Sequence, residues 1–185
     1  MTIRQATEAD AEALVAIYAP YITDTAITFE NDIPSIEEFR GRIRAIAKEY
    51  PYPVIEEDGA ILGYAYASCF HAREAYRHSV ETSIYLRQDM RGRGLGRILY
   101  DALEKALYRQ NVYTLYACIT RADDEHDPYV TNASIRFHER NGYTLIGSHD
   151  LSGYKFDRWY SIVWMEKVMR ERAGHPDPFI PYEKL

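Results

Sequence analysis

The chain predicts an α/β (α+β) fold, a mixed sheet flanked by helices. Two patterns carry that prediction. Apolar residues alternate with period two in short runs such as Ile61-Leu-Gly-Tyr-Ala-Tyr-Ala67 and Tyr113-Thr-Leu-Tyr-Ala-Cys-Ile119, which suits half-buried strands. Elsewhere they recur every three or four residues, which suits helices packed on those strands. The implied order is β-α-α-β-β-β-α-β-α-β-β, with the first four strands antiparallel and meander-like.

Residues 2–6 read as a short strand. Thr7-x-x-Asp10 resembles a capping box with Asp in place of Glu. Ala11, Leu14, Val15, Ile17 and Tyr18 then follow at helical spacing, and Pro20 is expected to limit that helix. Residues 21–34 read as irregular chain. Ser35 is expected to cap a second helix to about Lys48, with Ile36, Phe39, Ile43 and Ile46 on one face. Strands 53–57 and 61–67 pair around the Asp58-Gly59 turn, a strong hairpin signal. A polar loop covers 70–77 and a further strand 78–87. A helix is expected over 95–108, with Ile98, Leu99, Ala102, Leu103, Ala106 and Leu107 inward. After the strand at 113–119, the acidic run 121–130 reads as a solvated loop rather than a metal site, because no partner cluster completes a ligand set. Asn132 opens a short helix to Arg140, which ends at Asn141-Gly142. Strands 143–149 and 158–167 are expected to flank a turn at Ser152-Gly153. One domain spans 1–169, and 170–185, with three prolines, forms an extended tail.

Bulk properties narrow the function classes. A formal charge of −6 disfavours a nucleic-acid partner. No apolar run is long enough for a membrane span, and no signal peptide is recognisable. Cys69 and Cys118, without metal-ligand spacing, read as reduced core thiols of a cytoplasmic protein. The 17 tyrosines suit sheet faces and an interface.

The most specific stretch is Arg91-Gly-Arg-Gly-Leu-Gly-Arg97, between a strand and a helix. Glycine admits positive φ and close backbone approach, and a helix N-terminus offers free N–H groups, so the loop reads as a pyrophosphate cradle. It lacks the Gly-Lys-Ser/Thr of a Walker loop and the G-x-G-x-x-G of a dinucleotide fingerprint. The plain alternative is a glycine-rich turn between solvated arginines.

Gln88-Asp-Met-Arg-Gly-Arg-Gly-Leu-Gly96 resembles the acetyl-CoA signature of the GNAT superfamily of N-acetyltransferases. Asn132-Ala-Ser-Ile-Arg-Phe-His-Glu-Arg-Asn-Gly-Tyr143 is similar to that superfamily's helix-to-strand segment. The resemblance covers about 2–168. Within it, Gly63-Tyr-Ala-Tyr66, Ser79-Val-Glu-Thr-Ser-Ile-Tyr85, Ser134-Ile-Arg-Phe-His138 and Gly153-Tyr-Lys-Phe-Asp-Arg-Trp159 resemble the phosphinothricin and methionine sulfone/sulfoximine acetyltransferases. The resemblance implies a GNAT acyl-CoA N-acyltransferase fold with splayed central strands. It implies acetyl-CoA as co-substrate, no metal, and direct attack by the amine of a small amino-acid-like acceptor. It also favours a homodimer.

The implied roles follow residue by residue. Glu81 is the candidate general base, and His138 stands where many relatives carry a general-acid tyrosine. Ile84, Tyr85 and Leu86 are expected to offer backbone contacts to the acetyl and pantetheine groups. Arg91, Gly92, Arg93, Gly94, Leu95, Gly96 and Arg97 are expected to hold the pyrophosphate. Asn132, alternatively a plain helix cap, and Ser134 face the pantetheine arm. Phe29, Arg73, Tyr76, Glu81, Thr82 and Ser83 are candidate acceptor contacts, with Arg73 suited to a carboxylate. Segment 122–131 looks longer than in these relatives, and Phe70-His71 replaces a Trp-rich segment. The alternatives are a non-catalytic acyl-CoA sensor, which needs the cradle but not the proton-handling pair, and a protein N-terminal or lysine acetyltransferase, which needs an open groove.

Overall fold

Two strands that begin side by side and then part organise the molecule. In the computed structural model, which describes residues 1–185, β4 (Ser79–Leu86) and β5 (Thr114–Arg121) pair in parallel only at Ser79↔Thr114, Val80↔Leu115 and Glu81↔Tyr116. Beyond that point neither strand has a backbone partner across the gap. The buried Thr82 hydroxyl donates to the Tyr116 carbonyl at 3.1 Å, taking over as backbone pairing stops. The expected splay is therefore present.

The seven strands run β1-β2-β3-β4-β5-β7-β6. Strands β1 (Thr2–Gln5), β2 (Pro53–Glu57), β3 (Ala60–Cys69) and β4 form the expected antiparallel meander. The β2–β3 turn places Asp58 and Gly59 at φ 51° and 79°, as a two-residue hairpin turn requires. Strands β7 (Arg158–Val168) and β6 (Thr144–Lys155) complete the sheet antiparallel to β5.

Helices α1 (Ala11–Thr23) and α2 (Ile36–Glu49) cover one face of the meander, while α3 (Leu95–Arg109) and α4 (Ala133–Arg140) cover the other. The Ser35 hydroxyl accepts from the Glu38 N–H at 3.1 Å, the expected cap, and Phe39 and Ile43 are buried while Ile36 is exposed. The Asp10 carboxylate accepts from the Thr7 N–H at 2.7 Å, so Asp serves where the box ordinarily has Glu.

Four expectations are corrected. Helix α1 continues through Pro20 to Thr23, because Tyr21 and Ile22 beyond the proline are buried and their packing outweighs the lost N–H donor. The last hairpin turns at Phe156-Asp157, both with positive φ, while Ser152-Gly153 lies inside β6 near an irregular register. Cys69 and Cys118 are exposed free thiols rather than core residues. Segment 170–185 is irregular but docked. Gln110 Nε2 donates to the Ile180 and Glu49 carbonyls, Asn111 Nδ2 donates to the Pro178 carbonyl, and Phe179 packs on Tyr50 beneath the Arg77 guanidinium.

Candidate active site

The glycine loop closes on the wide end of the splay. Gly92 and Gly94 have φ of 76° and 79°, values that a side chain would strain. Gly94 stands at the N-cap of α3 with no side chain to cap it, so the first N–H groups of the helix remain free. None of the N–H groups from Arg91 to Gly96 is taken by a carbonyl or side chain elsewhere in the chain. A row of free donors at the positive end of a helix fits an anionic pyrophosphate. Gly96 also matters for packing. A Cβ there would meet the Phe137 ring at 3.0 Å, so its absence sets how closely α3 and α4 approach.

The three loop arginines differ. Arg91 lines the adjacent cavity, with its guanidinium 5.0 Å from the Tyr21 ring centroid and no carboxylate partner. Arg93 is exposed and likewise unpaired with acid. Arg97 is occupied, by Asp101 at 2.8 Å and by Asn141 at 3.2 Å.

The cavity beside Arg91 measures about 190 Å³ and is lined by Ile27, Ile84, Leu86, Thr131, Ser134 and Phe137 among others. It shares Ile27, Ile84 and Ser134 with a narrower one of about 60 Å³. That second space lies between β4 and β5 and is bounded by Thr82, Ser83, Tyr100, Ala117, Cys118 and His138. Together they make a channel from the glycine loop into the gap between the strands.

Alternation sorts the β4 residues along this channel. The Tyr21 hydroxyl donates to the Leu86 carbonyl at 2.7 Å and accepts from its N–H at 3.1 Å. Leu86 therefore directs its backbone away from β3, and Ile84, two residues back, directs its N–H the same way, into the splay. Tyr85 is of the other parity. Its backbone faces β3, and its ring packs edge-on against Tyr18 and Tyr21, so the expected Tyr85 backbone contact is corrected to a packing role.

Glu81 and Ser83 share the sheet face opposite α3 and α4. Glu81 is partly buried, forms no ion pair, and has its pKa raised by burial, an effect that nearby His71 opposes. Thr82 points to the other face, where it also meets the Tyr143 hydroxyl at 3.2 Å. It is thus a strut of the splay rather than an acceptor contact.

His138 is only 3 % exposed. Its Nδ1 lies 2.8 Å from the Ser134 carbonyl, so Nδ1 carries the proton, and Nε2 accepts from the Tyr100 hydroxyl at 2.9 Å. Burial pushes its pKa down to about 4. Burial thus disfavours an imidazolium at neutral pH, so the structure does not support the expected general-acid role in that form. Ser134 lines both cavities, with its hydroxyl beside this ring.

Asn132 uses its amide on Ala122, accepting from that N–H at 2.9 Å and donating to that carbonyl at 3.0 Å. It is not the side-chain cap of α4, and its remaining capacity is one N–H and one lone pair. Phe29 packs on Gly153, where a Cβ would come within 2.1 Å of the ring, and lies beside Tyr160. It locks the 24–30 segment onto the last hairpin. Arg73 and Tyr76 are exposed on the 70–77 loop, and Arg73 has no acidic partner.

Sequence reasoning missed Tyr21, Ile27, Tyr100 and Lys155, whose buried ammonium donates to the Thr28 carbonyl at 2.8 Å and holds the 24–30 segment in place. Tyr100 had a readable signal, since it falls on the buried stripe with Gly96, Leu103 and Leu107. Tyr21 was hidden by Pro20. Ile27 and Lys155 had none, because their roles arise where distant segments meet.

A channel that presents free N–H donors at one end and an unpaired carboxylate beside the strand gap suits transfer of an acyl group from a nucleotide-linked thioester. Comparison with known proteins agrees. The acetyltransferase (GNAT) domain profile matches residues 3–164. A phosphinothricin N-acetyltransferase of Streptomyces coelicolor is 32% identical over 171 residues, covering 90% of this chain and 95% of that protein. The L-methionine sulfoximine/L-methionine sulfone acetyltransferase of Salmonella typhimurium is 30% identical, with 96% and 99% covered. A phosphinothricin acetyltransferase structure from Sinorhizobium meliloti, solved with acetyl-CoA, superposes with a TM-score of 0.85 at 33% identity, over 98% of this chain and 97% of that one. The chain belongs to the GNAT acetyltransferase family. It is an acetyl-CoA-dependent N-acetyltransferase.

Proposed function

We propose that the protein transfers acetyl from acetyl-CoA to the amine of a small amino-acid-like substrate, in the size class of phosphinothricin and methionine sulfone, by direct attack. The observation that carries this reading is the position of Glu81: unpaired, partly buried, and level with the point where β4 and β5 part. Acetyl-CoA supplies an acetyl group activated as a thioester. Gly92, Gly94, Leu95, Gly96 and Arg91 hold the pyrophosphate, while Ser134, Ile84 and Leu86 line the way for the pantetheine arm. The Ile84 N–H polarises the thioester carbonyl. Glu81 attracts the ammonium form of the acceptor and then takes its proton; a raised pKa brings a carboxylate closer to the operating pH and makes it a better base. The Tyr100 hydroxyl is committed to His138 Nε2, so Ser134 is the O–H group on the wall of the gap that can meet the departing thiolate. Arg73 receives the acceptor carboxylate.

The test is a CoA-release screen across amino acids, sulfoximines, phosphinothricin, polyamines and peptides. Glu81→Gln should lower kcat by about 10²–10⁴-fold, the range of general-base catalysis, while acetyl-CoA binding stays within about twofold. Equal losses in binding and turnover would reject the base assignment.

We further infer a homodimer through β6. This edge strand is exposed from Thr144 to Ser152, and Leu145, Ile146, Leu151, Tyr154 and Trp159 on its hairpin are all solvent-facing. An apolar sheet edge of this kind invites a partner strand. Two free thiols support a reducing, cytoplasmic setting.

A further inference from the structure

We propose that the acceptor is an amino acid with an aromatic side chain, whose ring lies on a floor formed by Phe70, Tyr116 and Trp164. The proposal rests on the acetyltransferase reading and narrows its substrate. Ladder register places the floor beside the base, because Glu81 lies opposite Ser68 on β3 and Tyr116 on β5, and Cys118 lies opposite Trp164 on β7. Residues in register share a sheet face. Phe70, just past the end of β3, stacks on Tyr116 with centroids 4.2 Å apart and planes at 21°. Trp164 meets Phe70 edge-on at 5.8 Å, and Tyr76 does so at 6.0 Å. None of Phe70, Tyr116 and Trp164 is fully buried, so the cluster presents ring surface instead of closing into core.

Charge narrows the choice further. The floor carries two carboxylates, Glu81 and Glu166. Two guanidiniums near it are paired with acids: Arg172 with Glu166 at 3.3 Å and Arg77 with Glu49 at 2.6 Å. Arg73 is the one unpaired guanidinium of the 70–77 loop. That single unpaired guanidinium suits one anion, the α-carboxylate. A second anion on the side chain, as in phosphinothricin, would face the carboxylates without a partner. A neutral ring instead gains stacked and edge-to-face contacts.

The experiment measures CoA release at saturating acetyl-CoA with L-tryptophan, L-phenylalanine, L-methionine sulfone, L-phosphinothricin and 2-phenylethylamine. Expected is a kcat/KM for the aromatic amino acids at least tenfold above those for the sulfone and phosphinothricin. Trp164→Ala and Phe70→Leu should each cost the aromatic acceptors about two- to tenfold, the worth of one ring contact, and cost them more than they cost the sulfone. Arg73→Gln should weaken phenylalanine turnover but not that of 2-phenylethylamine. Preference for phosphinothricin, the sulfone or a peptide would overturn the proposal, as would equal losses for all acceptors in both floor variants. If acetyl-CoA binds but no amine is turned over, the catalytic reading fails with it.

Discussion

Two titratable residues of the gap, Glu81 and His138, are shifted in opposite directions for a shared cause. Burial disfavours charge, so it raises the carboxylate and lowers the imidazole. For catalysis, kcat/KM should rise with pH through a limb above the ordinary carboxylate value as Glu81 loses its proton, and Glu81→Gln should erase that limb. For stability, an unfolded His138 binds a proton near the ordinary histidine value of 6.5, whereas the folded one does so only near 4. Between those values the unfolded state holds more protons, so stability falls as pH falls from 6.5 to 4, by about 3 kcal/mol over the window. Urea unfolding of wild type and His138→Gln at pH 7 and pH 4.5 checks this, and the variant should lose less on acidification. The sequence singled out both residues, since each sits in a recognisable motif. It did not convey the imidazole's state, because that depends on Tyr100 and the Ser134 carbonyl closing around it in three dimensions.

Among the elements, the glycine loop was the most legible, because the positive φ at Gly92 and Gly94 is backbone geometry that glycine spacing announces directly. Gly94→Ala should cost about 1 kcal/mol in stability at φ 79° and raise the KM for acetyl-CoA, readable by thermal melting alongside saturation kinetics. Elements whose limits are set by tertiary packing were less legible. Helix α1 outruns Pro20 because Tyr21 has a destination at Leu86, a residue 65 positions away. The last hairpin turns at Phe156-Asp157 although Ser152-Gly153 has the stronger local turn chemistry, because Gly153 is spent on the Phe29 ring. Gly153→Ala should therefore loosen the 24–30 segment, and limited proteolysis there should be faster than in wild type.

Across the whole molecule, three distant segments interlock as one rim. Ala26 donates to the Tyr129 carbonyl, Lys155 reaches the Thr28 carbonyl, Arg158 pairs with Asp127 at 3.3 Å, and Tyr129 stacks on Phe156 at 4.2 Å. Segment 122–131 thus braces the 24–30 segment, a role that composition alone, polar and acidic, did not suggest. At the opposite end the 170–185 segment straps α2 to α3. Removing residues 174–185 would free Gln110 and Asn111 and uncover Phe179's seat on Tyr50, with an expected loss of about 2–4 kcal/mol, measurable by urea titration. In solution the protein should run at twice its 21.5 kDa, and Leu145→Glu in β6 should shift it toward the monomer in light scattering.

A sheet is ordinarily a wall, its strands joined by ladder bonds along their length. The three-pair ladder between β4 and β5 leaves a window in this one, with Thr82, Ala117 and Ile119 on one sill and Ser83 and Cys118 on the other. Two reactants can then arrive through separate doors and meet in the opening, neither having to leave before the other enters. Initial-rate plots should accordingly intersect, and free CoA should compete with acetyl-CoA while leaving the acceptor's own doorway unobstructed.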